Sequence, residues 1–415
     1  MNFKTLLFSA LSIFIGIEGA FAEKHYVGGD ISLLPEYELA EAKYYDENGN
    51  RISDLLSFCY DKGMNAMRVR LFVNPSDFPA NDPNVCQTLE YIMPLCKRIK
   101  DEGFALMLDF HYSDTWADPV KQWTPKSWAN LSDEELYVKI YDYTKATLAQ
   151  LKENRASPDF IQTGNEISYG MLWGVSTANS SSLKKCFSNS DDNWPRFVNL
   201  LKNAIKACRE ECPDAKIILH TERVANQQIQ QNFYQKMKDN NVDYDIIGLS
   251  YYPYFHGKMS VLDTALANLE KTFPDKEIMI VETGYSYAWE VPGTQQAVEY
   301  PYSNEGQNSF ASDLLSTVGN HKSCIGIFWW WMEYNAFGTS LTGWYNAPLF
   351  DSRTGRATKA LSTISKFNED GNSGVEDVEV VEPESDSWFD LTGRPLSSPS
   401  VPGFYIHNRK AVYIR

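Results

Sequence analysis

Two glutamates in this 415-residue chain stand where a carboxyl group can do chemistry. Glu166 follows the run Phe160-Ile-Gln-Thr-Gly-Asn and Glu282 follows Glu277-Ile-Met-Ile-Val, so each continues a short apolar, β-branched stretch into a Gly-containing turn. Such stretches read as buried strands, which puts each carboxyl at a strand's C-terminal end. Taken singly, either residue is as readily an ion-pair partner or a helix cap. As a pair they fit cleavage of a glycosidic bond with retention: one carboxylic acid protonates the leaving oxygen while a carboxylate about 5 Å away attacks the anomeric carbon. The acid has to keep its proton near neutral pH, which burial beside a second carboxylate achieves. Asn165 is placed to donate to a sugar hydroxyl, Arg68 or Arg70 to hold Glu282 ionised, and Tyr251 to orient Glu282 by a hydrogen bond.

Positioning these groups requires a repeating scaffold, and the sequence supplies one. Eight apolar runs occur at Tyr26–Ile31, Ala66–Phe72, Phe104–Phe110, Phe160–Thr163, Lys216–His220, Ile246–Ser250, Glu277–Val281 and Cys324–Trp330. Between them lie stretches with apolar residues at helical spacing, among them 86–101, 132–154, 194–211, 226–240, 260–273 and 305–320. Strand then helix, eight times, predicts an α/β fold of the (β/α)8 TIM-barrel type over residues 23–367. Active residues of such barrels lie at the C-terminal ends of the strands. That rule adds Asp30, Asp109, His111, His220, Glu222, Tyr252 and the tryptophans 329–331 to the candidates.

The rest of the chain is different in kind. Residues 1–22 carry Lys4, an apolar run and Ala20-Phe-Ala22, the pattern of a cleaved signal peptide. The run is too short for a membrane helix, so an exported protein without a membrane span is expected, in the periplasm, on the outer surface or secreted. Residues 368–387 read as a self-repelling acidic linker, since 369–386 hold eight acidic and no basic groups. Residues 388–415 read as a short β appendage of two or three strands. They resemble the Asp-Leu-x-Gly-Arg to Gly-x-Tyr-Ile segments that end many secreted bacterial enzymes, some of which are sorting signals.

Composition removes several classes. With 38 Lys+Arg against 54 Asp+Glu the formal charge is -16, which argues against nucleic acid as a partner. The chain has 11 Trp, 24 Tyr and 22 Phe, enough to stack on the flat faces of a ligand as well as to fill a core. Six histidines without His-x-His or His-Glu-x-x-His make a metal hydrolase built on His111, His220, His256 and Asp109 a weak alternative. Seven cysteines leave at least one unpaired; a Cys59–Cys96 bridge is expected only if their helices lie side by side.

Six motifs carry a family resemblance. Gly28-Gly-Asp-Ile-Ser32, Asn65-Ala-Met-Arg-Val-Arg-Leu-Phe-Val-Asn-Pro75, Leu108-Asp-Phe-His-Tyr-Ser-Asp-Thr-Trp-Ala-Asp-Pro119, Gln162-Thr-Gly-Asn-Glu-Ile167, Leu249-Ser-Tyr-Tyr-Pro253 and Val281-Glu-Thr-Gly-Tyr285 resemble those of glycoside hydrolase family 53 over about residues 25–365. That family comprises retaining endo-β-1,4-galactanases of the clan A barrels. The resemblance implies hydrolysis of β-1,4-galactan, the side chains of type I arabinogalactan in pectin, by a monomer. It makes Glu166 the acid/base and Glu282 the nucleophile, with Arg68, His111, Asn165 and Tyr251 around them and Asp30, Trp116 and Asp118 near the substrate groove. The alternatives are a related β-1,4-glycanase acting on mannan or xylan, and a non-catalytic glycan-binding barrel. After strand eight the family commonly shows aromatic-Trp-Glu-Pro, whereas this chain has Trp329-Trp-Trp-Met-Glu; Trp330 is taken as the sugar platform. Trp116, Trp123, Trp173, Trp289 and Trp344 fall in loops after strands and fit an open groove. No cofactor is expected. A structural calcium, as in some members, is left open because 285–304 offers no complete ligand set.

Overall fold

The computed structural model describes residues 24–77, 82–291, 299–339 and 347–368, together with four short strands between 388 and 414. The expected signal peptide, nearly all of the acidic linker and Trp344 lie outside the described residues. The eight apolar runs form β1 (Tyr26–Asp30), β2 (Ala66–Leu71), β3 (Ala105–Phe110), β4 (Phe160–Thr163), β5 (Lys216–Thr221), β6 (Ile246–Tyr251), β7 (Glu277–Thr283) and β8 (Cys324–Trp329). They close as a barrel in the order β1-β8-β7-β6-β5-β4-β3-β2, every pair parallel.

Side chains alternate across each strand. Ala66, Met107, Phe160, Ile218, Ile246, Met279 and Phe328 fill the barrel interior. Their neighbours Met67, Leu108, Ile161, Leu219, Ile247, Ile280 and Ile327 face the surrounding helices. Each buried Leu, Ile, Met or Phe among them contributes roughly 1.5–3 kcal/mol by leaving water. Counting on in twos from the interior set, toward the C-terminal mouth, gives Arg68 and Arg70, Asp109 and His111, Gln162, His220 and Glu222, Ser250 and Tyr252. The polar side chains of the mouth are therefore the upper layers of the same stack whose base is apolar.

β7 breaks that count. Leu249 pairs with Ile280 but Ser250 pairs with Glu282, and on the other side Ile327 pairs with Ile280 but Trp329 with Thr283. Both neighbours therefore find one extra residue in β7. Val281 faces the interior, and in a regular strand the next residue would face the helices. The bulge brings Glu282 to the mouth as well.

A helix follows each strand, from Leu55–Asp61 to Lys359–Ile364. Six match the expected spans within a few residues. Leu55–Asp61 and Lys359–Ile364 have seven and six residues, too few to show a helical period in sequence. Asp54, Thr88 and Ser132 cap their helices through side-chain oxygens, and Ser132 with Glu135 forms a reciprocal capping box. The Cys59–Cys96 bridge is not formed: all seven cysteines are free, and these two are buried thiols in the layer between barrel and helices.

The chain divides into two compact units, 1–371 and 372–415. In the second, strands Trp388–Phe389, Pro395–Leu396, Gly403–His407 and Lys410–Ile414 form one antiparallel sheet in which Trp388–Phe389 lies between Pro395–Leu396 and Gly403–His407. The sheet thus has four strands where two or three were expected.

Candidate active site

The strand ends surround a cleft of about 750 Å³, lined among others by Glu166, Glu282, His111, Asn165, Tyr252 and Trp330. Glu166 leaves β4 through Gly164, at φ 106°, and itself adopts φ 48°. A left-handed conformation costs a residue with a Cβ about 1–3 kcal/mol, a cost concentrated at functional sites. At Gly164 any Cβ would also meet Ile167 Cγ2 at 2.6 Å. The turn aims the Glu166 carboxyl toward β6, where Ser250 Oγ donates to Glu166 Oε1 (2.7 Å). Ser250 is in turn held by His220 Nε2 (2.8 Å), and His220 Nδ1 accepts from Gln162 Nε2 (3.0 Å). Burial, then the Arg68 charge, pushes the His220 pKa well down, so the ring is a neutral link.

The Glu282 surroundings differ. Arg68 Nη2 donates to Glu282 Oε1 (2.8 Å), and the same nitrogen reaches Asp109 Oδ2 (2.7 Å) and Asn165 Oδ1 (2.9 Å). Tyr252 Oη donates to Glu282 Oε2 (3.3 Å). Burial raises the Glu282 pKa to about 7, against the lowering effect of Arg68. The arginine does not win because its charge is shared: Arg68 also pairs with Asp30 (3.0 Å) and Asp109, while Arg70 pairs with Asp30 (2.6 Å). Two cations already face two carboxylates before Glu282 ionises. Glu166 has no cation beside it among its described partners, and burial, then Glu282 and Glu222, push its pKa well above the ordinary carboxyl range. Of the two glutamates, Glu282 loses its proton first.

Most expected site residues meet here. His111 Nε2 bonds Asp109 Oδ2 (3.1 Å) and its Nδ1 accepts from Ala117 N (3.0 Å), fixing the ring at the cleft wall. Asn165 Nδ2 donates to Ala117 O (2.8 Å). Trp116 is clamped by Asp82 Oδ2 on its Nε1 (2.9 Å), rests on the Arg70 guanidinium and lines the cleft with Asp118. Alternation sorts the tryptophans: Trp329 is buried with its Nε1 on Ala347 O (2.5 Å), Trp331 is buried, and Trp330 lines the cleft.

Two expectations are corrected. Tyr251 does not reach Glu282: it follows inward-facing Ser250, so it faces outward, is fully buried and donates to Gly257 O (3.0 Å). The next residue, Tyr252, takes the place expected of it. Asp30 is 1 % exposed and lies beneath the groove, binding Arg68, Arg70 and Ser32. It holds the arginines and does not line the cleft. Of the other loop tryptophans, Trp173 is buried and packs edge-on against Trp123. Gln162 and Ser250, not singled out in sequence, complete the site with Asp109 and His220; alternation counted along each run from its inward apolar residues was the signal for them.

A parallel eightfold barrel with two carboxyls so placed at its C-terminal mouth belongs among the glycoside hydrolases. More narrowly, the model of glycosyl hydrolase family 53 matches residues 26–364, and the chain belongs to that family. An arabinogalactan endo-beta-1,4-galactanase of Cellvibrio japonicus is 33% identical over 369 residues, covering 83% of this chain and 91% of its own. An uncharacterized protein of Niallia circulans is 36% identical over 321 residues, or 74% and 83% of the two chains. The Ignisphaera aggregans GH53 catalytic domain superposes with a TM-score of 0.71 at 31% identity, covering 84% of this chain and 97% of that one. Hydrolysis by two carboxyls requires no cofactor. Among the described residues no group of three or more His, Cys, Asp or Glu is arranged to hold a metal ion, and 292–298 of the segment weighed for calcium lie outside them.

Proposed function

We propose that the protein hydrolyses internal β-1,4-galactosidic linkages of galactan, the side chains of type I arabinogalactan, by double displacement. One observation carries this reading: two glutamates share a cleft, one ion-paired and one held only by a neutral hydroxyl. Glu282, held by Arg68 and Tyr252, attacks the anomeric carbon, and Glu166 gives its proton to the departing oxygen. Loss of that proton leaves Glu166 a carboxylate, which then takes a proton from water as the glycosyl–Glu282 ester is hydrolysed. Asn165 meets a sugar hydroxyl through its second Nδ2 hydrogen and Trp330 the sugar's apolar face, while His111, both of whose nitrogens are taken by Asp109 and Ala117, shapes the cleft wall.

Export by residues 1–22, action as a monomer, and a sorting role for the β appendage 388–415 belong to the same proposal. Among the described residues no helix is long and apolar enough to cross a membrane. Digestion of linear galactan, xylan and mannan, with the products sized, tests the substrate. Oligomers from galactan alone are expected; release from xylan or mannan at an equal rate contradicts the assignment.

A further inference from the structure

Glu222 is unused by the mechanism above. It directly follows β5, lines the same cleft as the two glutamates and is 7 % exposed. Its Oε2 accepts from Ser168 Oγ (2.7 Å), on the loop that carries Glu166. Its Oε1 lies 2.7 Å from Arg223 Nε, but the two are not aligned as a hydrogen bond, and both atoms remain without a hydrogen-bond partner. A buried acceptor and a buried donor, side by side and unsatisfied, are costly unless something fills them. Their surroundings are rigid: Arg223 stacks on Tyr169 at 4.3 Å, and Asn226 caps the helix Gln227–Asp239. His256 Nδ1 accepts from Tyr252 N (2.9 Å), and its ring also bonds the Glu222 backbone.

Around the barrel, β5 and β6 lie between Glu166 on β4 and Glu282 on β7. Glu166 is drawn toward that arc by Ser250, so its proton is delivered there. The ring under attack lies over Glu282 among Asn165, His111 and Trp330, which leaves the β5–β6 wall for the departing sugar. We infer that Glu222, with Arg223 beside it, binds hydroxyl groups of the leaving-group galactosyl unit, a role that rests on the galactanase reading. A sugar hydroxyl both donates and accepts, so one hydroxyl satisfies Glu222 Oε1 and Arg223 Nε together.

The test compares two leaving groups. Linear galactan departs as a sugar from this wall, whereas 4-nitrophenyl β-1,4-galactotrioside departs as a phenol without sugar hydroxyls. Glu222→Ala is expected to lower kcat/KM on galactan by roughly tenfold or more, with the aryl substrate changed by less than about twofold. Glu222→Gln, which keeps the shape and one acceptor, is expected between Ala and wild type. Equal loss on both substrates, or no loss on galactan, overturns the assignment; so does a loss on galactan that comes with a displaced high-pH limb of kcat/KM, because Glu222 then acts through the Glu166 proton, which a nitrophenolate leaving group does not need. Wild-type protein inert on galactan overturns the substrate reading itself, and is recognised without any variant.

Discussion

At the residue scale the two glutamates differ in what surrounds them, and the difference gives separable predictions. Glu282→Ala and Glu166→Ala should each lower galactan hydrolysis by about 10³-fold or more. Azide distinguishes them by the configuration of the glycosyl azide formed. It replaces the missing nucleophile in the first variant and gives the α-anomer; in the second it attacks the glycosyl–enzyme and gives the β-anomer. The opposite pairing exchanges the two roles. Since Glu282 reacts only as carboxylate and its pKa is raised to about 7, kcat/KM should fall as pH drops through that region, while the Glu166 limb lies higher. A profile level down to pH 5 contradicts this. Tyr252→Phe should reduce kcat about tenfold and Tyr251→Phe leave it within about twofold, because only Tyr252 touches Glu282. Glu166, Glu282, Asn165 and His111 were legible in sequence because each stands within three residues beyond an apolar run. Tyr251 was misplaced for want of one parity step, and Asp30 because burial beneath the groove leaves no mark distinguishing a supporting carboxylate from a binding one.

At the element scale the strands were legible because their interiors are apolar on both faces, which parallel packing under helices requires. The short helices Leu55–Asp61 and Lys359–Ile364 carried no period, and the bulge in β7 carried no composition signal, since Val281 looks like any strand residue. Yet that bulge lets Glu282 face the mouth directly after inward-facing Val281. Deleting Val281 should restore regular pairing and leave Glu282 directly after Ile280, still opposite inward-facing Ser250, so the carboxyl stays at the mouth and hydrolysis is retained in a protein with unchanged circular dichroism. A folded deletion variant without activity refutes this reading of the bulge. Loss of the Ser132 cap, by contrast, should cost about 1 kcal/mol in denaturant unfolding and leave kcat/KM unaltered.

At the scale of the whole molecule, every residue of the site lies within the unit 1–371. A chain ending at residue 371 should therefore cleave soluble galactan with kcat/KM within about twofold of the full chain; a larger loss assigns residues 372–415 a part in catalysis. Localised acidity marks 368–387 in sequence as a linker, while the four-stranded sheet beyond it was not legible, because two of its strands have only two residues. The central claim is that the barrel brings two glutamates to bear on one linkage in succession. Proton NMR of the reducing ends released in the first minutes of galactan digestion tests it most directly. Two displacements predict that the β-anomer appears first and mutarotates to the mixture; an α-anomer formed first would mean a single displacement by water and contradict the account.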